Sequence, residues 1–269
     1  MTLIIFLLLF ILSVLLSLLF IPLIESMFVE LNCTCVNYKG QNIPTGMGIA
    51  AIPVVILVGT ILYFISKDIK VIVVILSAVF MALVGLLDDL IGQKGVKGFK
   101  GHIKELIHYH MTTGGLKAVI GFLTALFISV IVSSTYIDIF INTVLIALFT
   151  NTLNLMDLRP GRALKVSILL FVLFAIFAHK NIWLLIPVMG FVAAYFPRDI
   201  KAFSMLGDTG SNLLGSVVGV YTAISFSFDI RLIIALLLIL LQIIAEKYSI
   251  TKLIESNSIL KFFDELGRI

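Results

Sequence analysis

The chain has 269 residues, of which 61% are hydrophobic and 13% are charged, and its formal net charge at pH 7 is +4. A mean hydropathy of +1.19 lies far outside the range of soluble domains, so the composition excludes a soluble enzyme or binding module and indicates a polytopic membrane protein. The length accommodates about nine helices of roughly 20 residues, which leaves no room for a large soluble domain. We therefore expect one integral-membrane domain over residues 1–269.

Uninterrupted apolar stretches predict an all-α fold with nine membrane-spanning helices. In chain order they cover about residues 2–23, 47–65, 70–88, 117–135, 138–155, 163–178, 181–197, 211–227 and 231–247. The first stretch has no basic residue before it and no small-residue cleavage site, so we expect it to remain as a helix.

The segment after the ninth helix, residues 249–269, is an amphipathic tail. Two short apolar surfaces alternate there with charged residues, the first formed by Ile250, Leu253 and Ile254 and the second by Leu260, Phe262, Phe263 and Leu266. Such a pattern favours docking on the membrane surface, and contact with a substrate is the alternative.

Lysine and arginine are distributed unevenly among the connections. The loops after the first, third, fifth and seventh predicted helices, together with the tail, hold fifteen of the nineteen basic residues. Because cytoplasmic loops carry the excess of these residues, we predict an N-terminus outside and a C-terminus in the cytoplasm. This topology puts the polar clusters of the chain on the cytoplasmic face.

Three such clusters combine carboxylate, amide and hydroxyl groups. They are the pair Asp88 and Asp89, the stretch Asn151, Asn154 and Asp157, and the segment from Gly207 to Ser211, which includes Asp208. Acidic side chains at a membrane edge are costly and usually functional. Carboxylate and amide oxygens suit Mg²⁺, which binds through one or two carboxylates, water and substrate phosphates.

A loop that repeats glycine and lysine follows the acidic pair. Flexible backbone amides together with positive charge indicate phosphate binding, and the alternative is that these lysines only set the topology or contact anionic lipid. The candidate residues are Lys94, Lys97, Lys100, His102 and Lys104.

Each acidic or amide cluster also has a structural interpretation. Asp88 and Asp89 could be a solvated helix end, and Asn151 and Asn154 could form hydrogen bonds between helices. The segment from Gly207 to Ser211 could be a turn with a helix cap. The location of all three clusters on one face favours a functional site.

Taken together, the motifs resemble those of the polyprenyl-phosphate N-acetylhexosamine-1-phosphate transferases, also called glycosyltransferase family 4, which include phospho-N-acetylmuramoyl-pentapeptide transferase. The resemblance covers nearly the whole chain. It rests, in order, on the Pro-Thr-Gly-Met-Gly segment from Pro44 to Gly48, the Asp-Asp pair, the Asn-x-x-Asn-x-x-Asp stretch and the Gly-Asp-Thr-Gly-Ser segment. It implies an enzyme of the bacterial plasma membrane that transfers sugar 1-phosphate from a UDP-sugar to polyprenyl phosphate, using Mg²⁺ and releasing UMP, in cell-envelope glycopolymer synthesis.

The resemblance also implies roles for single residues. Asp208 would be the main metal ligand, and Asp88 or Asp89 would bind metal or would position or deprotonate the lipid phosphate. Asn151, Asn154 and Asp157 would bind the nucleotide or organise the metal site. Further candidates for substrate contact are the loop residues named above with Lys117, Arg159 and Arg162. A homodimer is an expectation from the family, and we expect no nucleic-acid partner.

The chain departs from the pattern of the best-known members in three respects. Basic residues, Arg159 and Arg162, follow the Asn-x-x-Asn-x-x-Asp stretch where those members have glycine and a second acidic segment. A histidine-rich motif in the last cytoplasmic loop is missing, and some relatives have more helices.

A catalytically silent scaffold and a secondary transporter are the alternative functions. The retained aspartates weigh against the first, and their location at one membrane edge weighs against the second.

Overall fold

The computed structural model describes residues 2–92 and 112–268. Nine long helices follow one another in these ranges: α1 (Leu3–Glu30), α2 (Ala51–Ser66), α3 (Ile69–Ile91), α4 (Thr113–Val132), α5 (Tyr136–Met156), α6 (Arg162–Phe177), α7 (Ile186–Ile200), α8 (Gly207–Ser225) and α9 (Phe228–Lys247). Short 3₁₀ segments, Met47–Ala50 and His179–Leu185, lead into α2 and α7. The tail forms α10 (Ile250–Ser256) and α11 (Ser258–Glu265).

The prediction of a helical, polytopic membrane protein is confirmed. Within the described ranges, seven helical stretches are long and apolar enough to cross a membrane. The two long helices outside this group are α6, with 16 residues, and α8, which begins with a polar turn. Nine spanning helices and an external N-terminus stay predictions.

Helix starts differ from the predicted ones where a hydroxyl caps the helix. Thr112 Oγ1 accepts a hydrogen bond from the backbone nitrogen of Gly115 (3.0 Å), so α4 begins at Thr113 rather than at residue 117. Thr135 Oγ1 accepts from the nitrogen of Asp138 (3.1 Å), so α5 begins at Tyr136. Such caps set boundaries that hydropathy alone does not resolve.

Helix α8 is the centre of the bundle. Every side chain from Thr209 to Ala223 is buried, and α8 packs most extensively against α3 and α5. Glycines permit this close approach: a Cβ on Gly215 would stand 2.5 Å from Thr150 Cα, and a Cβ on Gly219 would stand 2.7 Å from Ile146 Cα. The packing brings the end of α3, the end of α5 and the start of α8 to one end of the bundle.

The prediction of an all-α fold did not include a β-hairpin that follows α1. Strands β1 (Thr34–Val36) and β2 (Asn42–Pro44) pair antiparallel. The hairpin leads directly to the start of α8, because Pro44 accepts a hydrogen bond from the nitrogen of Met205 (2.8 Å) and the nitrogen of Met47 donates to the carbonyl of Met205 (3.1 Å).

Candidate active site

Asp89 caps helix α8 from the end of α3. Its Oδ1 accepts from the backbone nitrogen of Asp208 (2.9 Å), and its Oδ2 accepts from the backbone nitrogen (2.8 Å) and the Oγ1 (2.6 Å) of Thr209. The first amides of a helix have no partner within the helix, so a carboxylate placed there stabilises it. Both oxygens of Asp89 are therefore engaged in holding Asp208 and Thr209.

Two glycine-containing motifs form one backbone junction beside this cap. Gly46 and Gly207 have positive φ angles of 79° and 74°. A Cβ on Gly207 would stand 2.6 Å from Asp89 Oδ2, and a Cβ on Gly48 would stand 2.1 Å from Gly210 Cα. Glycine is needed at these positions because any side chain would separate the two segments.

Lys117 of α4 lies among oxygen atoms from three other helices. Its Nζ is 2.6 Å from Asp208 Oδ2 and 3.6 Å from Asp88 Oδ2. The amide of Asn154 is oriented so that it satisfies both Lys117 and Asp208. In this orientation Asn154 Oδ1 accepts from Lys117 Nζ (3.0 Å) and Asn154 Nδ2 donates to Asp208 Oδ1 (2.7 Å). We call Asp88, Lys117, Asn154 and Asp208 the charged cluster.

A cavity of about 760 Å³ begins at the charged cluster and extends between α4, α5 and α9. Its walls are largely apolar and include Met81, Phe122 and Ala147, and the polar residues that line it outside the cluster include Gln242 and Glu246. A cavity with one charged end and apolar walls can hold an amphiphile with its polar group at the cluster.

The rim of this cavity carries amide side chains. Asn151 Nδ2 donates to Gln242 Oε1 (2.7 Å), and Gln242 Nε2 donates to Thr152 Oγ1 (2.9 Å). Gln242 was not among the residues predicted from the sequence. It is an isolated polar residue in the apolar run of α9, and this isolation could have identified it.

Asn212 is a second residue that the sequence analysis did not single out. It lines the same cavity from α8, is fully buried, and neither its side-chain oxygen nor its nitrogen has a hydrogen-bond partner among the described residues. Unpartnered buried amides are costly, which is a reason to expect a ligand group near them. Its place one turn after Asp208 was the signal in the sequence.

Asp157 lines a smaller cavity of about 210 Å³ together with Asp199. Burial, followed by the negative charges of Asp199, Asp208 and Asp89, raises the pKa of Asp157 well above its usual range. Asp199 is buried and joins two loops, since its Oδ2 accepts from the nitrogen of Gly161 (2.8 Å) and its Oδ1 accepts from that of Leu206 (3.2 Å).

The structure does not bring Arg159 and Arg162 to the charged cluster. Arg162 is buried and binds Asp264 of the tail through Nε (2.7 Å) and Nη2 (2.9 Å). Arg159 lines the smaller cavity and lies 3.6 Å from Glu255 of the tail. The remaining predicted substrate contacts, Lys94, Lys97, Lys100, His102 and Lys104, lie outside the described residues.

The oxygen atoms of the charged cluster fit Mg²⁺. Asp88 and Asp208 supply carboxylates and Asn154 supplies an amide oxygen, which is a hard donor set. The ammonium of Lys117 lies among them, so they already surround a cation. No group of three or more His, Cys, Asp or Glu side chains in residues 2–92 and 112–268 is arranged to hold a metal, so water or phosphate oxygens would complete the coordination.

The chain matches a known protein family. The model of glycosyl transferase family 4 matches residues 71–226, more than half of the chain. The matched range runs from α3 through α8 and contains the whole charged cluster. A comparison with curated proteins gives no match.

Proposed function

Because the chain belongs to glycosyl transferase family 4, we propose that it transfers a sugar 1-phosphate, of the N-acetylhexosamine type, from a UDP-sugar to polyprenyl phosphate. The products would be a polyprenyl-diphosphate sugar and UMP, in cell-envelope glycopolymer synthesis at the bacterial plasma membrane. The observation that carries the proposal is the position of the charged cluster at one end of a cavity with apolar walls.

The two substrates of this reaction come from different phases. Polyprenyl phosphate is confined to the bilayer and a nucleotide sugar is confined to water, so the reacting phosphates have to meet at a membrane edge. The apolar walls formed by Met81, Phe122 and Ala147 suit the first isoprene units of the acceptor. The acceptor phosphate would then lie against the charged cluster.

Within the cluster, Asp88, Asp208 and Asn154 would hold Mg²⁺. A bound Mg²⁺ neutralises phosphate charge and fixes the attacking and leaving oxygens in place. Lys117 contacts both carboxylates and would pair with phosphate oxygens when substrates bind. The lipid phosphate is already an anion at neutral pH, so the reaction places little demand on a general base.

Asp89 acts through Asp208 in this proposal. Its three hydrogen bonds to Asp208 and Thr209 fix the first turn of α8, from which the Asp208 carboxylate projects. These bonds take up three of the about four lone-pair sites of the Asp89 carboxylate and orient it toward the backbone of α8, which leaves little of it for a metal ion. We therefore assign Asp89 a positioning role and Asp88 a direct one.

The donor nucleotide would lie beside the charged cluster. Asn151 lines the larger cavity there, and Asp157 lines the smaller one. Arg159 lines the smaller cavity and is available to a diphosphate there. The lysine-rich loop from Lys94 to Lys104 remains a predicted source of phosphate contacts.

The test is UMP release from purified protein supplied with Mg²⁺, polyprenyl phosphate and a panel of UDP-sugars. We expect one sugar to yield UMP and Asp208→Asn to abolish the reaction. Asp229→Asn is the matched control, because Asp229 lies exposed at the start of α9 and outside both cavities. Absence of UMP with every sugar, together with parental substrate binding by Asp208→Asn, would refute the enzyme and favour the scaffold.

A further inference from the structure

The tail is attached to the start of α6 by a buried network of ion pairs. Arg162 binds both carboxylate oxygens of Asp264 and donates to Thr251 Oγ1 (3.1 Å). Arg268 also donates to Asp264 (3.1 Å) and to the carbonyl of Pro160 (3.1 Å). The tail therefore holds the loop between α5 and α6 through charged side chains that are shielded from solvent.

The backbone of α11 lies against the first turn of α6. Lys165 Nζ donates to the carbonyls of Phe263 (2.9 Å) and Asp264 (2.6 Å). Gly267 follows with a positive φ of 77°, and a Cβ there would stand 3.0 Å from the side chain of Ile200. These contacts place α11 and the residues that follow it beside the start of α6 and the end of α7.

The opposite side of α11 is apolar and exposed. Ile259, Phe262 and Phe263 follow the i, i+3, i+4 spacing of one helix face, and Leu266 comes directly after the helix; each is between 54% and 67% exposed. Lys261 and Glu265 lie on the other side of the same helix. No described residue covers the apolar face.

The lipid surface is the partner that the position of this face indicates. Helix α9 ends at Lys247, only two residues before α10 begins, and its exposed side chains include Leu236, Leu237 and Leu240. The apolar face of α11 therefore follows shortly after the end of a helix that is long and apolar enough to span the membrane. An amphipathic helix in this position buries its apolar side at the boundary of headgroups and acyl chains.

We propose that α11 is a lipid-bound clamp, whose apolar face lies in the membrane interface while Asp264 and Arg268 hold the loop from Asp157 to Arg162. That loop includes Gly161, whose amide binds Asp199, and Asp199 also binds the amide of Leu206 just before α8. Attachment of the tail to lipid therefore stabilises the part of the smaller cavity that is lined by Pro160, Asp199 and Leu206. The proposal goes beyond the proposed reaction and does not depend on it.

The lipid contact can be tested with single-tryptophan variants in phosphatidylcholine vesicles that carry bromine on their acyl chains. Trp183 is the one tryptophan of the chain, so the background is Trp183→Phe. We expect Phe263→Trp to be quenched at least about twofold more strongly than Lys261→Trp, which lies on the opposite side of α11. Equal quenching of the two, or stronger quenching of Phe263→Trp by aqueous iodide, would overturn the lipid contact.

The clamp itself can be tested by hydrogen exchange of residues 157–162 in the full-length protein. Asp264→Asn should accelerate exchange in this loop by about tenfold or more, because Arg162 loses its buried partner. Glu265→Gln is the matched control, since Glu265 is exposed and its ion pair is with Lys261 of the same helix (3.9 Å). Unchanged exchange in α3 and α8 verifies folding, and equal exchange of the loop in the two variants would overturn the clamp.

Discussion

Lys117 Nζ and Asp208 Oδ2, which lie near the N-terminal ends of two different helices, are 2.6 Å apart. The ammonium also lies 3.6 Å from Asp88 Oδ2, and it lies among the oxygen atoms that we assign to Mg²⁺. If Mg²⁺ binds as proposed, Lys117 and the metal compete for the same oxygen atoms. The competition is measurable without substrate.

We expect Lys117→Met to reduce turnover by about 10²-fold or more, because an electrostatic contact to the phosphates is lost. The same variant should gain a larger Mg²⁺-dependent rise in its unfolding temperature than the parent, since the ammonium no longer occupies the donor set. Lys70→Met, on an exposed ion pair with Asp68, is the control. A smaller rise with Mg²⁺ in Lys117→Met would contradict the shared site.

Asp88→Asn and Asp89→Asn should have different effects. Loss of the Asp89 carboxylate weakens three hydrogen bonds to the start of α8, so stability should fall by about 2 kcal/mol. Asp88→Asn should leave the unfolding temperature nearly unchanged and reduce turnover. Thermal unfolding in detergent and the UMP assay measure both quantities, and equal unfolding temperatures of the two variants would show that the cap contributes little.

Gly48→Ala should prevent close packing of the hairpin segment on α8. The added Cβ would stand 2.1 Å from the Cα and the nitrogen of Gly210, and backbone atoms cannot move aside as a flexible side chain does. We expect a loss of about 3 kcal/mol. Gly40→Ala is the comparison, because Gly40 has a positive φ of 79° but nothing within 4 Å, which costs about 1 kcal/mol. Similar expression levels and unfolding temperatures of the two variants would contradict the close packing of Gly48 on Gly210.

Asn212→Leu should raise KM without lowering the stability of the protein. Both polar atoms of Asn212 lack a described partner, so replacement by an apolar side chain of similar size should leave stability unchanged or raise it by about 1 kcal/mol. If the amide binds substrate in the larger cavity, KM should rise at least about tenfold for the substrate it contacts. An unchanged KM for both substrates would remove Asn212 from the site.

Attachment of the tail should weaken in acid. Burial acts to raise the pKa of Asp264, but hydrogen bonds and charges from Arg162 and Arg268 outweigh it and lower the pKa to about 2. The folded value is below the ordinary one of about 3.9, so the stabilisation is complete above that value and is lost as pH falls toward about 2. Limited proteolysis of the tail measures this, and Asp264→Asn should abolish the difference between pH 5 and pH 2.

The apolar runs by themselves determined most of the helices, because a segment that crosses lipid must satisfy its backbone internally and be apolar along its length. The apolar runs and the distribution of lysine and arginine among the loops also predicted that Asp88, Asn154 and Asp208 lie on one side of the membrane. Local sequence could not reveal the β-hairpin or the binding of Arg162 by Asp264, since both depend on partners distant in the chain.

Only the tertiary structure distinguished the role of Asp88 from that of Asp89. Neighbouring residues on a helix point about 100° apart, so Asp88 and Asp89 face different helices although the sequence presents them as one motif. Asp88 faces Lys117 and the larger cavity, whereas Asp89 faces the amides of α8. The direction of each side chain follows from how α3 packs on its neighbours, and that packing is a property of the whole bundle.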